Sequence, residues 1–133
     1  MEDKILIDTS IWINFFRKKD LRIYTLVAKL LKERRAIGSG IISLELLKGG
    51  KTLKELNYLS DLFEVIEMVF PNPQSYILAG KMGYALARKG HTLSVVDLLI
   101  AQLAVENKLT LLTLDKHFKI IRKNFPLKLL DIV

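Results

Sequence analysis

Apolar residues along the chain alternate between short continuous runs and stripes with helical spacing. Residues 21–35 have apolar side chains at i, i+3, i+4, i+7 and i+8, a spacing that predicts a helix packed on one face. Residues 4–7 form a short apolar run that is typical of a buried strand. Residues 94–106 are apolar on nearly every side, so we expect that helix to be deeply packed.

The rest of the chain continues this alternation. Strands are predicted at residues 4–7, 36–42, 63–68, 109–112 and 127–132, and helices at residues 9–16, 21–35, 43–48, 52–62, 73–89, 94–106 and 116–122. The glycine-containing segments 38–40 and 49–50 are interpreted as turns. Strands separated by helices need crossover connections, which predicts an α/β fold with a mainly parallel sheet of about five strands, covered on both faces. In such sheets ligands bind beyond the carboxyl ends of the strands.

Length and composition limit the number of domains and the available chemistry. With 133 residues, of which 50% are hydrophobic, the chain is expected to form a single domain over residues 1–133. The linker-like segment 71–75 is too short to separate two domains. The chain has no cysteine, which excludes a disulfide framework and thiolate metal sites and fits a reducing cytosol.

No segment has the pattern of a signal peptide or a membrane anchor. The first four residues include two acids and precede only a brief apolar run. The longest apolar segment, residues 93–105, is interrupted by Asp97 and Gln102 and is shorter than a membrane span. We therefore expect a cytoplasmic protein without a membrane partner.

Four acidic residues stand where the predicted strands end and the predicted helices begin. Asp8 directly follows the first strand, Asp115 follows the strand at 109–112, and Glu45 and Asp97 are expected in the first turns of helices that begin at the same edge. Each has a structural explanation as well: Asp8 could cap a helix, Glu45 and Asp97 could stabilise positive helix ends, and Asp115 could start a turn. Ser94 has capping-box spacing to Asp97. Capping does not require all four acids to share one edge, however, and clustered carboxylates repel unless a cation or protons neutralise them.

Carboxylate oxygens without histidine or cysteine ligands favour hard cations, Mg²⁺ or Mn²⁺, over zinc or copper. Water bound to such a cation is a suitable nucleophile for a phosphodiester. Of the two histidines, His91 is interpreted as a loop residue after Gly90, and His117 as a surface or substrate contact rather than a ligand. The chain lacks a phosphate-binding glycine loop, a dinucleotide fingerprint and a GxSxG motif around Ser10 or Ser43. Metal-assisted hydrolysis is therefore the favoured chemistry.

At these residues the sequence resembles the PIN-domain nucleases, and among them the compact VapC-type toxins. The matching segments are ILIDTSIWINFF, SLELLKG, ARKGHTLSVVDLLIAQLA and LLTLDKHF, and together they span nearly the whole chain. The resemblance implies that Asp8, Glu45, Asp97 and Asp115 are the catalytic, metal-binding acids. It also implies supporting roles for Ser10 and Thr113. Many relatives have a further aspartate where this chain has His117, which leaves open how a second metal ion would bind.

The same resemblance implies a three-layer α/β/α sandwich and a homodimer. The implied function is that of a VapBC-type toxin: Mg²⁺- or Mn²⁺-dependent endoribonuclease activity on single-stranded or loop RNA, blocked by a cognate VapB-type antitoxin. Two alternatives remain: a catalytically inactive PIN-like RNA-binding module, in which the acids only cap helices, and a nuclease acting on structured DNA.

The formal charge of +7 agrees with a polyanionic partner, although a solvated basic surface would give the same value. Four of the 14 acidic residues belong to the predicted site, so the rest of the chain is more basic than this value suggests. Trp12, Phe15 and Phe16 are expected in the core rather than stacked on bases. Some cations are candidate contacts to an RNA backbone, although ordinary solvated surface is the favoured interpretation of each one taken alone: Arg17, Lys18, Lys19, Lys48, Lys51, Arg88 and Lys116.

Overall fold

A computed structural model describes residues 3–132 and contains one five-stranded sheet in that range. The strands are β1 (Ile5–Ile7), β2 (Ala36–Ser39), β3 (Glu67–Val69), β4 (Thr110–Leu112) and β5 (Lys128–Leu129). The helices are α1 (Thr9–Phe16), α2 (Leu21–Lys32), α3 (Gly40–Lys48), α4 (Leu53–Val65), α5 (Pro73–Arg88), α6 (Val95–Glu106) and α7 (His117–Asn124). The predicted α/β alternation is confirmed.

The sheet has the strand order β3-β2-β1-β4-β5, and all four neighbouring pairs are parallel. The chain therefore moves from β1 outward to β3, crosses back over the sheet to β4, and continues to β5. Because parallel crossovers are almost always right-handed, this reversal places α1–α4 on one face and α5–α7 on the other. The result is the expected α/β/α sandwich. The order reverses between β1 and β4, the position at which open parallel sheets commonly bind ligands.

The core lies on both sides of the central strand. All three residues of β1 are buried, and so are Trp12 and Phe15 of α1, as expected from the sequence. Phe16 is partly buried and packs against that core, and its ring stacks on Trp12 at a centroid distance of 5.9 Å. None of the helices within residues 3–132 has both the length and the apolar composition needed to cross a membrane.

The boundary between β2 and α3 differs from the prediction. The strand ends at Ser39, whose side chain accepts a hydrogen bond from the Ile42 backbone N–H, and the helix begins at Gly40. The interpretation of residues 38–40 as a turn was therefore wrong. Gly38 lies within the strand, and glycine suits this position because a Cβ atom there would stand 2.8 Å from the Met68 sulfur. The missing side chain reflects packing against β3, not turn geometry.

The third strand also begins later than predicted. Helix α4 continues to Val65, and β3 covers Glu67–Val69 instead of residues 63–68. The apolar run that suggested a strand at Phe63 belongs to the end of the helix, where Phe63 packs against Trp12 with their ring centroids 5.7 Å apart. A short apolar run therefore does not by itself distinguish a strand from the last turn of a packed helix.

Candidate metal centre

Asp8 stands at the carboxyl end of β1, where the sheet order reverses. Its backbone has the extended conformation of a helix N-cap, but its side chain makes no capping hydrogen bond to α1. Instead, its Oδ2 atom accepts hydrogen bonds from the hydroxyls of Ser10 at 2.9 Å and Thr113 at 2.7 Å. The residue is only 5% exposed. The capping explanation of Asp8 is thus not supported by its geometry.

The two hydroxyl groups fix one oxygen of Asp8 and leave the other available. Oδ1 accepts no hydrogen bond from residues 3–132, and it does not belong to the fully buried side-chain atoms that lack a partner. It is therefore an accessible acceptor with a fixed direction. Ser10 also accepts a hydrogen bond from the Leu114 backbone N–H, which connects α1 to the segment after β4. This connection rigidly joins the two strand ends that flank the site.

Asp97 and Asp115 approach each other at the same edge. One oxygen of each carboxylate and one ring nitrogen of His117 lie within 4.8 Å of one another. His117 Nδ1 is 3.5 Å from Asp97 Oδ2 and 3.3 Å from Asp115 Oδ1. The group offers three ligand atoms of the kinds that divalent cations accept.

Burial raises the pKa of Asp97 above its usual value, and the negative charges of Asp115 and Asp8 raise it further. Hydrogen bonds to the Asp97 carboxylate from Ser94 and His117 oppose this rise without cancelling it. The Asp97 side chain is 16% exposed, so its charge is poorly solvated. A bound cation would relieve both causes of the raised pKa, since it would neutralise the repulsion and coordinate the buried oxygens.

The structural explanations hold for part of the remaining geometry. Ser94 caps α6 by accepting a hydrogen bond from the Asp97 backbone N–H at 3.1 Å, and Asp97 lies in the first turn as expected. Asp115 Oδ1 accepts from the His117 backbone N–H at 2.9 Å, which is the expected turn-forming contact. These local contacts use one oxygen of Asp115. They do not explain why its side chain faces Asp97.

Glu45 is placed differently from the other three acids. It lies in the second turn of α3, because that helix begins at Gly40, so the expectation of a first-turn position was wrong. Its Oε1 atom accepts a hydrogen bond from the Thr9 hydroxyl at 2.8 Å. Thr9 directly follows Asp8, and this bond ties Glu45 to the same strand end. Glu45 lies outside the group of three ligand atoms around Asp97.

Two contributions were not foreseen from the sequence. Thr9 was not singled out, although a hydroxyl residue next to the first acid was a usable signal. His117 is exposed, as expected of a surface residue, but its ring also lies against two of the predicted acids, which was not expected. By contrast, His91 is exposed and follows Gly90, which has a positive φ of 89°, in agreement with the predicted loop.

Three of the predicted RNA contacts lie beside other side chains of the fold. Arg17 is 3.7 Å from Glu55, Lys18 lies over the Tyr24 ring, and Arg88 lies over the Tyr84 ring. These three cations therefore have neighbours of their own within the fold. Lys116 is exposed and directly follows Asp115, which makes it the member of the set nearest in sequence to the acidic group.

Comparison with known proteins gives one consistent result. The PIN domain model matches residues 5–124. The chain is 31% identical over 131 residues to Ribonuclease VapC1 from Methanocaldococcus jannaschii, covering 98% of this chain and 89% of that protein. Its fold matches VapBC2 from Rickettsia felis, solved bound to a DNA fragment from their promoter, with a TM-score of 0.77, 25% identity and coverage of 95% of this chain and 96% of that chain. VapBC-1 from nontypeable Haemophilus influenzae gives a TM-score of 0.75, 26% identity and coverage of 96% of both chains.

Proposed function

The chain belongs to the PIN domain family, and we propose that it is a metal-dependent endoribonuclease that acts as the toxin of a VapBC-type pair. The ribonuclease activity is supported by its relative Ribonuclease VapC1, and the toxin assignment by its likeness to the two VapBC structures. The observation that carries the proposal is the placement of Asp8, Asp97 and Asp115 at the sheet reversal.

The donor set fits a divalent cation. Asp8 presents one fixed, accessible oxygen, and Asp97 and Asp115 present oxygens within 4.8 Å of each other. We assign cation binding to these three acids and to Glu45, and we favour Mg²⁺ or Mn²⁺ because the donors are mainly carboxylates. When bound, such a cation supplies positive charge next to the scissile phosphate and lowers the pKa of water.

The protein's own residues orient this arrangement. Ser10 and Thr113 hold Oδ2 of Asp8, so that Oδ1 keeps one direction. The Thr113 hydroxyl also accepts a hydrogen bond from the Asp115 backbone N–H at 3.0 Å, which couples the positions of the two acids. Thr9 restrains Glu45 in the same way. These hydroxyl groups are positioning residues that reduce the reorganisation needed when the cation and the phosphate bind.

Cleavage of a labelled stem-loop RNA tests the proposal directly. We expect Mn²⁺ or Mg²⁺ to support cleavage, EDTA to stop it, and Asp97→Asn to abolish it with an unchanged circular-dichroism spectrum. Single-stranded and hairpin DNA of the same sequence serve as controls for a DNA nuclease. If RNA binds but no metal supports cleavage by the wild-type protein, the chain is a binding module and the proposed activity is wrong.

We also propose a VapB-type antitoxin as its protein partner, a homodimer as its assembly and residues 1–133 as one domain. Co-expression with the product of a neighbouring antitoxin gene should give a stable complex in which RNA cleavage is suppressed. Sedimentation of the isolated protein measures its assembly state, and limited proteolysis tests whether it is one compact unit.

A further inference from the structure

A groove with three basic side chains opens beside the acidic group. It has a volume of about 290 Å³ and lies between α7 and the end of the chain after β5. Its lining includes Thr113 and Asp115, so the groove begins at the candidate metal centre itself. The basic residues on its wall are Lys116, Lys119 and Arg122.

We propose that this groove holds the RNA backbone next to the scissile phosphate, with Lys119 and Arg122 as phosphate contacts. The inference rests on the proposed ribonuclease function and adds the path that the substrate takes. Neither residue was among the cations selected from the sequence. They are brought to the site by the position of α7, which follows β4 in the chain and packs against α6.

The spacing of the cations fits consecutive phosphates of a nucleic-acid strand. Lys116, Lys119 and Arg122 are separated by three residues each, and residues three apart are neighbours on a helix surface. The six steps from the first to the last correspond to about 9 Å along the helix axis. A helical nucleic-acid strand carries one phosphate per roughly 3.4 Å of rise, so the stripe spans about two to three phosphates.

These three cations are available for a ligand. All three are exposed, and among residues 3–132 none of them forms a salt bridge or a side-chain hydrogen bond. Elsewhere in that range Lys4 and Arg22 have carboxylate partners, at 2.6 Å and 3.0 Å. Neighbouring basic side chains that form no ion pair of their own favour a polyanion, because phosphate contacts replace condensed counterions.

The groove also contains acidic groups that set its polarity. Asp115 lies at the end next to the metal centre, where a cation would neutralise it. Asp131 lies on the wall formed by the chain terminus and is exposed. It opposes RNA binding in this proposal, so its removal should have the opposite effect to removal of a groove cation. The two kinds of variant should therefore change KM in opposite directions.

The test compares variants that remove positive charge inside and outside the groove. Lys119→Ala combined with Arg122→Ala removes two groove cations, and alanine suits exposed helix positions. Lys123→Ala is the matched control, because Lys123 is exposed on the same helix but does not line the groove. Asp131→Asn removes the opposing charge. All variants are assayed with a fluorescein-labelled stem-loop RNA in Mn²⁺.

We expect the double variant to raise KM about five- to tenfold and to leave kcat within about twofold, because two exposed ion pairs are lost while the reacting groups are intact. Asp131→Asn should lower KM about twofold. RNA binding is measured in the Asp97→Asn background, where RNA is not cleaved. There, the negative slope of the logarithm of the RNA association constant against log[KCl] should become smaller in magnitude by about 1.4 in the double variant, which is about 0.7 for each lost contact with a single strand. Lys123→Ala should change neither KM nor the slope.

The two proposals fail in distinguishable ways. If the wild-type protein does not cleave RNA in any divalent metal, the proposed function fails. If it cleaves RNA but the double variant and Lys123→Ala have the same KM and salt slope, the groove assignment is overturned. An unchanged or raised KM for Asp131→Asn would also contradict it. A double variant that binds RNA normally but no longer binds the antitoxin would assign the groove to a protein partner and refute the RNA path.

Discussion

Asp97→Asn separates a metal-binding carboxylate from one that only stabilises a helix end. The amide keeps the shape of the side chain and can still accept a hydrogen bond, but it removes the negative charge. In EDTA we expect the variant to be more stable than the wild-type protein, because a poorly solvated charge near Asp115 has been removed. A helix-stabilising aspartate predicts the reverse, since loss of its charge at a positive helix end costs up to about 1 kcal/mol.

The size of the gain follows from the separation of the two carboxylates. At 4.8 Å, the upper limit of the distance between their ligand oxygens, two unit charges repel by about 1 kcal/mol in water and by about 3.5 kcal/mol at an effective dielectric constant of ~20. The Asp115 side chain is 36% exposed, and His117 contacts both carboxylates, so both screening and this contact reduce the value. We therefore expect Asp97→Asn to raise the free energy of unfolding in EDTA by about 1–2 kcal/mol. For a chain of 133 residues this corresponds to a rise in Tm of about 4–8 °C.

Mn²⁺ should reverse the order of stability. A cation at a hundred times its Kd adds about 2.7 kcal/mol to the native state, or about 10 °C in Tm. The wild-type protein should show this shift, and Asp97→Asn should lose most of it. Melts followed by circular dichroism or calorimetry, in EDTA and over a series of Mn²⁺ concentrations, measure both effects in the same samples.

Glu55→Gln is the matched control. Glu55 stands at the third position of α4, and its backbone N–H donates to the Thr52 side chain just as that of Asp97 donates to Ser94. It lies near Arg17 instead of another acid, so its neutralisation should lower Tm slightly and leave the metal shift unchanged. If Asp97→Asn behaves like Glu55→Gln in EDTA, and the wild-type protein shows no metal shift, the assignment of Asp97 to a cation site is wrong.

Three further perturbations test other parts of the structure. The stability gained by Asp97→Asn in EDTA should depend on pH, because the folded-state pKa of Asp97 is raised. The gain should be absent below the ordinary pKa of 3.8 and develop as pH rises through the folded-state pKa. Urea titrations at several pH values would measure it. Thr113→Val should reduce cleavage about 10- to 100-fold with little loss of stability, since it removes one of the two hydrogen bonds to Asp8 Oδ2 and the acceptor of the Asp115 N–H. Thr110→Val, an exchange of the same shape at the start of β4, should have little effect on the rate of RNA cleavage. Gly38→Ala should cost about 1–3 kcal/mol, because the new methyl group would stand 2.8 Å from the Met68 sulfur, whereas Gly80→Ala meets nothing within 4 Å; equal unfolding midpoints in urea would contradict this packing argument.

The fold was predictable because its signals are local. Strand β1 is a short apolar run, and α6 is a long apolar segment with Ser94 as its cap, so neither depends on distant residues to be recognised. Asp8 could be placed for the same reason: it is the first polar residue after a buried strand. The β2–α3 boundary could not, because Gly38 is required by side chains of α4 and β3 that are remote in sequence.

The candidate site was only partly predictable for a related reason. Sequence position indicated which acids stand at strand ends, but not which of their oxygens remain available or which neighbours their side chains reach. His117 donates its backbone N–H to Asp115 through a local turn, yet its ring also lies near Asp97, which belongs to another helix. The basic groove likewise depends on α7 packing beside the chain after β5. Neither the contact between His117 and Asp97 nor the groove can be recognised from a local sequence pattern.

Asp8 and Ser94 differ in whether their side chains cap the helices that they precede, and Asp8 lacks this stabilising contact. Both residues stand at N-cap positions with extended backbones, but only Ser94 caps its helix with its side chain. An aspartate that turned onto the first backbone N–H groups of α1 would contribute about 1 kcal/mol. Asp8 instead directs one oxygen to Ser10 and Thr113 and keeps the other accessible, although it is nearly buried. A carboxylate held in this way contributes nothing to the cap of α1 and keeps one oxygen for a ligand, which is why the geometry of Asp8, more than its position in the sequence, favours a cation site over four unrelated helix ends.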